Sequence, residues 1–260
     1  MRILLPPSET KRPGGRQSFS HDELFLAARL DGSRARVREA LASASLDEAT
    51  ATKALKLGVK NRDERLRNLE LCSSGALAAI ERYTGVLYDA LGAHDLSAGA
   101  RRWIDAHVLV QSALFGLLRA GDPIPAYRLS ASSRLPLLGG ALAKQWADAH
   151  DGALAGEPYV LDLRSKDYAG LAPLPKLGAH HADYLEVVAR GDNGEVRALN
   201  HFNKAAKGDL VRRLASSAPH VQSRTELLDW AAAAGVELVV GEEPGTLRLV
   251  TDQGVSASSR

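Results

Sequence analysis

The side chains best suited to chemistry in this sequence are lysines, tyrosines and small hydroxyls that stand where short apolar runs give way to loops or helix starts. The sharpest group is His201-Phe-Asn-Lys-Ala-Ala-Lys-Gly208, which follows a predicted strand and opens a predicted helix. Asn203, Lys204 and Lys207 then sit beside a helix N-terminus, where the dipole and the free N–H groups favour an anion. Lys204 and Lys207 are three residues apart, so both project from one side of the first turn. Two ammonium groups so close repel, and burial adds to the effect, so at least one should have a lowered pKa. A lysine so placed binds an anion, acts as a base or forms a Schiff base. The expectation is that Lys204 faces the site beside Tyr168 and Arg128, while Lys207 lies further along and supplies charge. The glycine and lysine spacing of a Walker loop is missing.

Two further segments concentrate positive charge: Lys11, Arg12 and Arg16 in the first loop, and Lys53 to Arg67. In the second, Ala49 to Leu55 reads as a helix, Lys56-Leu-Gly-Val-Lys60 as a tight hairpin, and Asn61 to Leu71 as a second helix capped by Asn61. A helix-hairpin-helix of this shape presents backbone N–H groups and a helix start to phosphate, and Lys53, Lys56, Gly58, Lys60, Arg62 and Arg65 are its DNA-binding candidates. Lys60 replaces the second of the two glycines that such a hairpin carries. An ordinary helical turn ending on a Gly cap accounts for the same residues. Ser8-Glu-Thr-Lys11 matches S-x-x-K, but the partner motifs of serine acylases are absent. His180, His181 and His201 lack partners at ligand spacing, so neither a metal nor another cofactor is expected. Cys72 stands alone, without a resolving cysteine.

These residues need a fold to position them. Over 260 residues the chain is 45% hydrophobic and 25% charged, values that exclude a disordered or low-complexity protein. Its 33 basic and 31 acidic residues nearly balance, so any basic surface is local. One cysteine fits a reducing cytosol, the start is too briefly apolar for a signal peptide, and no run is long enough to span a membrane; a cytoplasmic protein is expected. Arg2 to Leu5 reads as a buried strand stopped by Pro6 and Pro7, and Asp22 to about Leu118 as helical. Its clearest helix runs from Ser97 to Arg119, with Ser97 as cap. A helix follows over Leu138 to His150, then a strand over Tyr159 to Arg164. Asp183 to Ala189 and Glu195 to Phe202 flank Gly191-Asp-Asn-Gly194 as a β-hairpin. Helices over Lys204 to Ser216 and Thr225 to Ala234, and a terminal hairpin of Val236 to Val240 with Thr246 to Thr251, precede a polar tail, 256–260. The expected class is mixed α/β: one domain over residues 1–260 with a central mixed sheet, a helical N-terminal half holding the hairpin element (about 47–72), and a basic cleft. The strands Arg2 to Leu5, Tyr159 to Arg164 and Glu195 to Phe202 are expected in one sheet.

Six blocks fall in one order: Leu4-Leu-Pro-Pro-Ser-Glu-Thr-Lys11, Arg82-Tyr-Thr-Gly-Val-Leu-Tyr88, Ser112-Ala-Leu-Phe-Gly-Leu-Leu-Arg119, Ile124-Pro-Ala-Tyr-Arg-Leu129, Asp162-Leu-Arg-Ser-Lys-Asp-Tyr168 and Asn203-Lys-Ala-Ala-Lys-Gly208. Together they resemble the YaaA family of bacterial peroxide-stress resistance proteins, from residue 3 to about 215. The resemblance implies a mixed α/β domain with a positively charged cleft and a helix-hairpin-helix-like element, binding of double-stranded and other DNA forms, and a role in limiting peroxide damage linked to intracellular iron. It places Ser8, Lys11, Tyr83, Tyr88, Ser112, Tyr127, Arg128, Ser165, Tyr168, Asn203, Lys204 and Lys207 at the cleft. Two readings remain open: a stress protein that binds DNA without sequence preference, and an enzyme acting on a small anionic or nucleobase-like substrate. An open groove favours the first; a closed pocket with a shifted lysine favours the second.

Overall fold

The first strand, β1 (Arg2–Leu5), lies in the interior of the sheet, where an apolar run is buried on both faces: Ile3, Leu4 and Leu5 are fully buried. A computed structural model describes residues 1–174, 181–190, 196–198 and 202–251. After β1 come helices α1 (Ala27–Leu46) and α2 (Glu48–Leu55), a 3₁₀ segment (Val59–Leu69), β2 (Leu77–Ala78), α3 (Ala79–Arg82), α4 (Val86–Leu91) and α5 (Ala98–His107). Strands β3 (Val108–Ser112), β4 (Gly116–Arg119) and β5 (Pro123–Ile124), helix α6 (Ala143–His150), β6 (Val160–Asp162), α7 (Lys166–Ala169) and β7 (Ala182–Arg190) follow. The chain continues through β8 (Val196–Ala198), α8 (Phe202–Ser217), α9 (Arg224–Ala233), β9 (Leu238–Val240) and β10 (Thr246–Thr251).

Eight strands form one mixed sheet in the order β4-β3-β1-β6-β7-β10-β9, with β8 against the far end of β7. The central five are mutually parallel: Ile3 pairs with Val108 and Leu161, Leu161 with Asp183, and Tyr184 with Thr246. Strands β4, β8 and β9 run antiparallel to their neighbours. The three strands expected to share a sheet therefore do so, as β1, β6 and β8. Side chains alternate between two cores: Ile3, Leu5, Val108, Val110 and Leu161 face the large one, Leu4, Leu109 and Val160 the small one. From β1 the chain places β3 on one side and later β6 on the other. Such a reversal opens a crevice outside the carboxyl ends of the strands, where ligands of open α/β sheets bind.

Several expectations need correcting. The helix expected over Ser97 to Arg119 ends at His107, and the rest is the β3–β4 hairpin. Residues 108–118 are buried throughout, Gln111 and Ser112 included, so the run has no exposed polar face to mark a period, and a run buried on all sides fits strand as well as helix. Gly116 closes the case with a φ of 68°, outside helical space, while a Cβ there would lie 2.9 Å from the Trp146 ring. Phe202, expected to end a strand, opens α8. The second helix of the hairpin element is 3₁₀, preceded by Gly58, with Asn61 in non-helical geometry rather than capping it. That segment buries only Asn68, so no apolar stripe holds it as an α-helix. The Gly191 to Gly194 turn, His201 and the polar tail lie outside the described residues.

Candidate functional site

The crevice outside β1 and β6 is a cleft of about 740 Å³ with three walls. The first is the loop that follows β1. Pro6 and Pro7 end the strand, and the loop carbonyls are then held by buried donors: the Tyr88 hydroxyl donates to Pro6 O (2.8 Å), and Lys11 Nζ donates to Ser8 O (2.9 Å) and Glu9 O (3.1 Å). The loop turns three hydroxyls together, with Ser8 Oγ 3.1 Å from Thr10 Oγ1 and Thr84 Oγ1 donating to Thr10 Oγ1 at 3.0 Å. Gly85 beside them has a φ of 95°, a conformation that favours glycine.

The second wall is α8. Gly208 lets it lie on α4, since a Cβ there would collide with the Leu87 carbonyl oxygen. That contact brings Asn203, Lys204 and Lys207 to the cleft. Lys204 is exposed, whereas Lys207 is 5% exposed, with Nζ donating to Leu163 O at 3.1 Å and lying 5.4 Å from the centre of the Tyr184 ring. Burial lowers the Lys207 pKa to about 8, against the opposing fields of Asp162 and Glu186. Lys204 thus lines the cleft as expected, the lysine with the lowered pKa is Lys207, and desolvation rather than mutual repulsion leads the shift. The third wall is the start of α7, with Ser165, Lys166, Asp167 and Tyr168. Burial raises the Tyr168 phenol pKa, so the hydroxyl stays protonated. Three lysines meet Glu9 and Asp167 around the cleft, so its positive charge lies mainly on the α8 side.

Of the twelve residues expected at the cleft, Ser8, Tyr88, Ser165, Tyr168, Asn203, Lys204 and Lys207 line it. The other five are packed behind its wall. Tyr83 and Tyr127 hydroxyls are 2.8 Å apart, and Tyr127 is 2.8 Å from Ser112 Oγ, which also accepts from the N–H groups of Leu114 and Phe115. Lys11 lies against the rings of Tyr127 (4.2 Å) and Tyr83 (5.4 Å), and burial with repulsion from Arg128 lowers its pKa to about 7. Arg128 does not face the cleft; its guanidinium bridges Glu9 (2.9 Å) and Glu64 (3.4 Å). Asn68 fixes that arginine by bonding its backbone at both ends, 2.7 and 3.0 Å.

The DNA-binding candidates form a separate surface. Lys53, Lys56, Gly58 and Lys60 are exposed around the left-handed cap of α2 at Lys56. Arg62 pairs with Glu48 at 3.2 Å, and Arg65 donates to Ser45 O at 2.8 Å. Cys72 is exposed beside a different hollow, with Arg38 and Glu39. Among the described residues no helix is long and apolar enough to cross a membrane.

A family model described as peroxide stress protein YaaA matches residues 1–234, a span that contains every wall of the cleft. The chain belongs to the YaaA family. Relatives in it include a UPF0246 protein of Corynebacterium efficiens, 37% identical over 96% of this chain and 100% of that protein. A UPF0246 protein of Streptomyces coelicolor is 38% identical over 92% of each. One from Methylibium petroleiphilum is 32% identical over 54% of this chain and 56% of its own length. Strands β9 and β10 lie beyond the span that the YaaA model matches.

Sequence reasoning missed Thr10, Thr84, Gly85, Lys166 and Tyr184 as cleft-lining residues. Lys166 and the Thr84-Gly85 pair stand inside blocks already singled out, so their positions were within reach. Tyr184 carried no signal, because only the pairing of β6 with β7 brings it beside Leu163.

Proposed function

We propose that the cleft binds a small anionic or nucleobase-like molecule and acts on it through the lysine in its wall. One observation carries this reading: a cleft of about 740 Å³ borders a lysine that is 5% exposed and has no ion pair among the described residues. The volume falls within the roughly 300–1,000 Å³ of small-molecule sites. Holding the phosphates of a duplex calls for exposed charge, not for an amine withdrawn from water. Lys204 and Asn203 suit an anionic group, Tyr88, Tyr168 and Tyr184 a ring, and the Ser8, Thr10 and Thr84 hydroxyls further polar atoms. On this reading the family's role in peroxide stress runs through a small molecule. Calorimetric titration with mononucleotides, free nucleobases and small phosphorylated acids tests it. Saturable binding that weakens about tenfold in Lys204→Met is expected. No saturable binding of any of them to the wild type overturns it.

A second reading, DNA binding without sequence preference, is favoured by Lys53, Lys56 and Lys60, which stand exposed and meet no carboxylate among the described residues. Log affinity should then fall linearly with log salt, and Lys56→Gln with Lys60→Gln should shallow the slope by about one to two. No binding at low salt removes this reading.

A further inference from the structure

We propose that Lys207 forms a Schiff base with a small aldehyde or ketone that carries a carboxylate or phosphate; the step rests on the cleft reading above and names its substrate class. The Lys207 side chain is almost wholly buried, yet it borders the cleft where β6 ends. Among the described residues its amine donates to a single carbonyl, that of Leu163. A lysine at this depth is ordinarily held by a carboxylate. Here the two carboxylates whose fields reach it are committed elsewhere, Asp162 to Arg164 at 2.7 Å and Glu186 to Arg248 at 3.3 Å. The amine is therefore left to react rather than locked in an ion pair. Lys204, exposed at the rim of the same cleft, supplies the charge that holds the anionic end.

The chemistry balances with groups already present. The neutral amine attacks the carbonyl carbon, the C–N bond forms as the C=O π pair moves to oxygen, and a proton passes from nitrogen to that oxygen. A cleft phenol then protonates the hydroxyl, water leaves with the C–O bond, and the nitrogen lone pair closes C=N. The iminium N–H returns its proton to the phenolate, so carbonyl compound and amine become imine and water. Tyr168 and Tyr184 both line the cleft, and burial keeps both phenols protonated. With the Lys207 pKa at about 8, roughly a quarter of the amine is neutral at pH 7.5, against about a thousandth for an ordinary lysine.

The test uses pyridoxal 5′-phosphate, an aldehyde bearing a phosphate, on the full chain at pH 7.5, with borohydride reduction and peptide mapping by mass spectrometry. Pyridoxine 5′-phosphate, which has the same ring and phosphate but no aldehyde, is the comparison. On neutral fraction Lys207 should be labelled about two hundredfold faster than a lysine of reference pKa, and it should be labelled ahead of exposed Lys53 and Lys56. Pyridoxine 5′-phosphate should slow that labelling, and Lys204→Met should slow it about tenfold without moving it. Labelling of Lys207 no faster than Lys53, while pyridoxine 5′-phosphate still binds, overturns the covalent step and leaves the cleft reading standing. No binding of either compound, with Lys207 unlabelled, overturns the covalent step; the titrations above then decide the cleft reading separately.

Discussion

Replacing Lys11 by methionine removes a buried positive charge from the wall behind the cleft. Lys11 is 5% exposed, and its ammonium protons go to two backbone carbonyls rather than to a carboxylate. Burial, with the Arg128 guanidinium adding repulsion, lowers its pKa from 10.5 to about 7. Between those values the unfolded chain holds a proton that the folded chain has released, so stability rises with pH. At about 1.4 kcal/mol per pH unit, the charged lysine costs on the order of 5 kcal/mol below pH 7, and the penalty vanishes above about pH 10.5. Between pH 6 and pH 9 it shrinks by about 2.5 kcal/mol. Methionine fills the same space without charge, so the variant lacks that increment. Losing the two hydrogen bonds offsets part of the gain, by about 1 kcal/mol each, but does so at both pH values. Lys207 is present in both proteins and cancels. Urea unfolding of each protein at pH 6 and pH 9 therefore isolates the effect: the wild type should gain about 2.5 kcal/mol more than Lys11→Met. Equal gains in the two proteins would refute the reasoning.

Gly208→Ala puts a methyl group against the Leu87 carbonyl, and forcing α8 off α4 should cost about 1–3 kcal/mol of unfolding free energy, read from urea titration; the same variant should lose cleft ligands, because Lys204 and Lys207 move with the helix. Arg164→Met leaves Asp162, 3% exposed, without the guanidinium that meets both its oxygens, and should destabilise by about 3–5 kcal/mol at neutral pH. Much of that loss should disappear in the double variant with Asp162→Asn, which a double-mutant cycle reads directly.

Local rules settled a good part of this fold from the sequence alone. The Arg2 to Leu5 run stopped by two prolines is β1, Ser97 caps α5 by accepting from the Ala100 N–H at 3.2 Å, and Thr246–Thr251 forms the last hairpin strand. Each of these signals acts within a few residues, so no distant segment was needed to read it. Family blocks likewise pointed to the residues that gather near the carboxyl ends of β1 and β6. Residues 108–118 were decided elsewhere: a run buried on every side carries no period, and the edge of β1, about a hundred residues earlier, took up β3 as a strand with β4 folded back on it. The division of the twelve expected residues into seven that line the cleft and five packed behind it also came from tertiary structure. So did the choice of Lys207 over Lys204 as the buried lysine, which depends on Gly208 seating α8 against α4. Residue type sets what a lysine can do, but burial and pKa are set by every atom around it, and around Lys207 those atoms come from segments far apart in the chain.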